Sequence, residues 1–102
     1  MAWCVTVHVR ERPKPNIVVK HVEAKPETVY VGEAVTFEVR FKNEGNARGR
    51  AWYRITVNGS EVHRDHVVLR AGEERTVAIA IGPFNRPGDY KICAEITKQE
   101  RA

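Results

Sequence analysis

Residues 35–42 alternate without exception: Val35, Phe37, Val39 and Phe41 are apolar, while Thr36, Glu38, Arg40 and Lys42 are polar. Only a β-strand, whose side chains leave by opposite faces with a period of two, puts such a run half in a core and half in water. A strand with one apolar face needs a second layer to cover it. This one run therefore commits the chain to a packed sheet.

The rest of the sequence supplies that layer. Residues 51–57 direct Ala51, Tyr53, Ile55 and Val57 to one side, and Asn58-Gly59 follows. A two-residue type I′ hairpin needs positive φ at both central positions, which Asn-Gly accepts, so residues 60–69 are expected to run back antiparallel. After the turn at Ala71-Gly72-Glu73, residues 76–81 offer Val77, Ile79 and Ile81; after a loop over 83–88, residues 89–97 offer Tyr90, Ile92, Ala94 and Ile96. Residues 17–24 form a strand before the alternating run, and 43–49 form a loop. The first strand is expected at 2–9, with Trp3, Val5, Val7 and Val9 on one face and Cys4, Thr6 and His8 on the other. Helical periodicity is nowhere present, so seven to eight strands predict an all-β antiparallel sandwich.

A chain of 102 residues suits one domain. No run approaches the roughly 18 apolar residues of a membrane span, and the N-terminus has no apolar core of signal-peptide length, so membrane insertion of this segment is not expected. The formal net charge of +4 raises the question of an anionic partner, and the distribution of charge answers it. Basic residues mostly alternate with acidic ones, as in Arg10, Glu11, Arg12 and in Glu73, Glu74, Arg75, which describes a solvated, salt-bridged surface. With 29% of residues charged and Lys, Arg and Glu outnumbering Asp, the balance also leans toward a thermophilic source. One local exception is Arg48, Arg50 and Arg54 interleaved with Trp52 and Tyr53. Such a cluster could contact a carbohydrate or nucleic acid by stacking and charge. A strand whose large side chains simply pack is the commoner meaning. Nucleic acid is therefore not the expected partner.

From Pro15 to Ile96 the sequence resembles the CARDB domain, a cell-adhesion-related, immunoglobulin-like sandwich of bacterial and archaeal surface proteins. The pieces that carry the resemblance are NIVVKHVEAKPETVYVGEAVTFEVRFKNEGNA, ITVNG, VVLRAGEERTVAI and PGDYKICAEI. It implies an extracellular or cell-surface structural module, not an enzyme, that contacts a protein partner or a neighbouring domain, with no cofactor and no catalytic residues to carry over. Residues 1–14 depart from the pattern as an extra strand and a Pro-rich connector, leaving 15–102 as the sandwich. Three uses of the extra strand are open: the closing strand of a preceding repeat, a further strand on a sheet edge of this domain, or a strand donated to a neighbouring copy in a homo-oligomer, with the connector as hinge.

Cys4 and Cys93 both fall on the outward faces of their strands, where a bridge between edge strands could form. A disulfide there would close most of the chain and add roughly 4 to 5 kcal/mol; it would imply an oxidising compartment or a hyperthermophile. Tyr90 lies three residues before Cys93, out of phase with the immunoglobulin tyrosine corner, so its expected role is to anchor the final corner through its hydroxyl. His63 and His66 are three apart, which on a strand sends them to opposite faces and denies them a shared metal ion. Asn58-Gly59-Ser60 spells a glycosylation sequon at an exposed turn, for which turn chemistry alone is the leading explanation. No nucleophile, acid or base motif accompanies any of these residues.

Overall fold

The computed structural model describes residues 2–9 and 13–102. Its six strands are β1 Ile17–Lys25, β2 Val35–Asn43, β3 Gly49–Val57, β4 Ser60–Leu69, β5 Glu74–Ile81 and β6 Ile92–Arg101. The fold is all-β, in two three-stranded antiparallel sheets ordered β1-β2-β5 and β4-β3-β6. Among the described residues no helix is long and apolar enough to cross a membrane.

Each central strand buries its apolar face because it has neighbours on both sides. On β2, Val35, Phe37, Val39 and Phe41 are buried while Thr36 and Arg40 are exposed. On β3, Ala51, Tyr53 and Ile55 are buried. The two faces meet where Phe41 and Tyr53 pack with ring centroids 4.9 Å apart. Burial in this layer, with the charge of Asp65 nearby as the smaller cause, raises the Tyr53 phenol above its ordinary pKa. Ile17, Val67, Leu69 and Ile81 complete the core. Asn58 and Gly59 hold φ of 49° and 85°, the left-handed pair that the β3–β4 hairpin requires.

Two expectations are corrected. Among the described residues the strand count is six, because residues 2–9 form no strand in this structure. With no neighbouring strand to exchange backbone hydrogen bonds, the alternating run has nothing to build a ladder on. Tyr90 is also not a core residue: it is 36% exposed and caps Phe84, with ring centroids 4.6 Å apart, because β6 starts only at Ile92. The hydroxyl role expected for Tyr90 does hold, since it donates to the Arg86 carbonyl at 2.6 Å.

Candidate contact surface

The N-terminal connector is fastened to the sandwich at one end of β1. Lys14 N donates to Asn46 Oδ1 at 2.9 Å, and Asn46 N returns a bond to Lys14 O at 3.2 Å. Two residues later, Asn16 N donates to Asn43 Oδ1 and Glu44 N to Asn16 O. The Gln99 amide then clamps β1 to β6, accepting from Ile17 N at 2.9 Å and donating to Ile17 O at 3.3 Å. Beside it, the Lys20 ammonium donates to Glu44 at 2.6 Å; that hydrogen bond, with the lysine's charge, holds the Glu44 carboxyl below its usual range.

Asn43 organises this corner. Its Oδ1 accepts from Asn16 N and Gly45 N, and its Nδ2 donates to Ala47 O and Leu69 O, so a fully buried amide makes four hydrogen bonds. The connector crosses directly over Gly45, where an added Cβ would stand 2.4 Å from Lys14 O and 2.6 Å from Asn16 N. Both obstacles are backbone, so Gly45→Ala has to displace the connector. It is expected to lower stability by about 2 to 3 kcal/mol in urea unfolding; an unchanged midpoint would contradict this placement of the connector.

Ahead of the fastened segment, residues 2–9 form an arm with no secondary structure. Trp3, Val5, Val7 and Val9 are 90%, 86%, 75% and 91% exposed, although together they form one apolar face when extended. The molecule measures 84 × 20 × 18 Å, whereas its longest strands, of ten residues, span only about 33 Å. The arm accordingly projects away from the sandwich.

The sandwich has a complementary defect. At the side where β1 and β6 lie next to one another, the core-facing residues Val19, Ala24, Ile92, Ala94 and Ile96 are only partly covered, and Val22 is 42% exposed. Gln99 closes one end of this opening, and at the other it widens into a cleft of about 430 Å³ lined by Ala24, Val29, Phe84 and Ile92. The opposite flank is mixed: on edge strand β5, Val77 and Ile79 are likewise only partly covered. There the core-phase positions of β4 opposite Tyr53 and Ile55 are Asp65 and His63, and inward-pointing polar groups discourage pairing at an edge.

The remaining candidate residues have local explanations. Arg50, Trp52 and Arg54 line the outward face of β3, with exposed Arg48 just before the strand. Trp52 is half-buried; Lys98 sits 5.1 Å and Arg50 5.8 Å from its ring centroid, so the chain's own cations occupy its faces. Arg54 pairs with Glu95 at 3.3 Å. His63 packs near Tyr53 and His66 near Trp52, on opposite faces of the sheet as their spacing requires. Cys4 and Cys93, the pair that could form a bridge, are both free thiols in this structure. The Asn58 side-chain Oδ1 accepts from Lys91 N at 2.8 Å, tying the hairpin turn to the start of β6.

Sequence reasoning missed Asn43 and Gln99. Asn43 read as the start of a loop, and its place opposite Ile17, with its N–H donating to Glu73 O, depends on distant strands. Gln99 reaches the core side only because a register shift in the β3–β6 ladder changes the phase after Ile96.

The CARDB family model matches residues 14–101. Among solved structures, the chain is similar to the CARDB domain of a Pyrococcus furiosus protein, determined in complex with di-metal ions. The two share 25% identity at a TM-score of 0.73, over 85% of this chain and 77% of that one. No curated protein matches the chain.

Proposed function

Because the chain belongs to the CARDB family, we propose that it is a non-enzymatic structural and adhesion module of a cell-surface or secreted protein, working through contacts with other protein. The observation that carries this reading is the projecting arm, whose Trp3, Val5, Val7 and Val9 offer one continuous apolar face to a partner. Free apolar strands do not persist in solution without something to pair with. The arm is thus a contact element before it is anything else.

The metal of the Pyrococcus neighbour is not carried over to this chain. Among the described residues, no group of three or more His, Cys, Asp or Glu side chains could hold an ion, and structural sites need more ligands than a pair can supply.

Antibody raised against the chain is expected to label intact source cells or their medium, and protease added to intact cells should remove the cell-bound label. Label that appears only after lysis would contradict the surface assignment.

A further inference from the structure

We propose that residues 2–9 of one copy add to the open edge of β6 in a second copy, running antiparallel to it and closing the side of the sandwich between β1 and β6. The proposal names the partner for the contact role above and rests on it, yet the two fail separately, since surface labelling and strand pairing are independent readouts.

Pattern is the first argument. With Val9 set opposite Ile92, antiparallel pairing places Val7 opposite Ala94 and Val5 opposite Ile96, three apolar pairs in phase with the partly covered core. Cross-strand pairs of this kind are the unit that stabilises a sheet. Residues 5–9 of the arm match the five of β6 from Ile92 to Ile96, which keep one phase up to the register shift that follows Ile96, shortly before the Gln99 clamp ends the opening. β1, the other strand bordering the opening, carries its register shift mid-strand, between Val19 and His21, whereas the shift in β6 falls after Ile96, beyond the three pairs. On the far flank, β4 carries Asp65 and His63 at core-phase positions, and β5 offers two partly covered apolar residues, Val77 and Ile79, against the three of β6.

Reach decides between the chain's own arm and another's. β1 starts beside Gln99 and ends near Ile92, so it runs opposite to β6. Lys14 is fixed at the Gln99 end by Asn46. To lie antiparallel on its own β6, the arm would have to place Val9 at the Ile92 end. Seven strand steps along β6 amount to about 23 Å, whereas the five steps from Val9 to Lys14 span at most about 18 Å. The chain's own arm cannot make this pairing, and a second copy's can. Parallel docking within one chain would need a reversal immediately before Pro13 and Pro15, which favour an extended course. The observed arm runs away from its own sandwich. Donation in this head-to-tail sense is heterologous, so each acceptor still carries its own free arm.

Hydrogen exchange on the intact chain, at low and high protein concentration, tests the proposal. The β6 amides from Ile92 to Ile96 are expected to exchange roughly tenfold more slowly at high concentration. The double variant Val5→Pro, Val7→Pro, which removes ladder donors at two exposed positions of the arm, should abolish that difference while leaving exchange elsewhere unchanged. Protection of β6 at all concentrations would show docking within one chain and overturn the second copy. Concentration-dependent protection of β1, β4 or β5 instead, or none at all, would overturn the choice of edge or the pairing itself.

Discussion

Asn43→Asp is expected to destabilise the domain by about 3 to 5 kcal/mol, a large part of the 5 to 15 kcal/mol typical of a domain this size. Asn43 is fully buried, and among the described residues its amide is the only side chain bonded to Asn16 N, Gly45 N, Ala47 O and Leu69 O. A carboxylate keeps the two accepting roles but turns an oxygen toward two carbonyls, where Nδ2 had donated. The repulsion is added to the cost of a buried, unpaired charge. Urea unfolding of the variant at neutral pH checks the magnitude. Acidification should restore part of the loss, because a protonated carboxyl can donate to one carbonyl again. Stability close to that of the parent at neutral pH would contradict the hydrogen-bond assignment.

Phe41→Ala is expected to cost about 3 to 5 kcal/mol, through lost transfer energy and the cavity left behind. The ring is fully buried on β2 and packs on Tyr53 across the two sheets. It therefore joins the layers and does not merely fill one of them. Thermal unfolding followed by tyrosine near-ultraviolet dichroism measures the loss and reports on Tyr53 at the same time. A change below about 1 kcal/mol would mean that the apolar face of β2 does not point inward.

These two sites differ in how far the sequence announces them. The alternation of Val35 to Phe41 is local, and the β2 face it implies is the face observed, as is the Asn58-Gly59 turn. Asn43 sits one step past that pattern, and its burial depends on Leu69 O and Asn16 N being brought to it from far along the chain. No local pattern records such an arrangement. Tyr90 shows the opposite error: an apparent period of two ran on past the point where the ladder with β3 begins, which is Ile92. The Trp52 cluster was visible as composition. That a cation of the chain itself lies over the Trp52 ring depends on Lys98, brought alongside from β6.

Residues 2–9 are the most instructive case. Their alternation is as regular as that of β2, yet in the single chain they form no strand and stand exposed. Period-two patterning specifies a strand only when a partner edge is within reach, and the distance from Val9 to Lys14 withholds the antiparallel one. On the pairing proposed above, the pattern encodes a strand for another molecule's sheet.

Light scattering of the intact chain over a wide concentration range measures that claim directly. The account predicts a molar mass that rises from 11.6 kDa toward multiples of it as concentration increases, with the arm variant Val5→Pro, Val7→Pro held at the monomer value. A mass of 11.6 kDa for the intact chain at every concentration would contradict it.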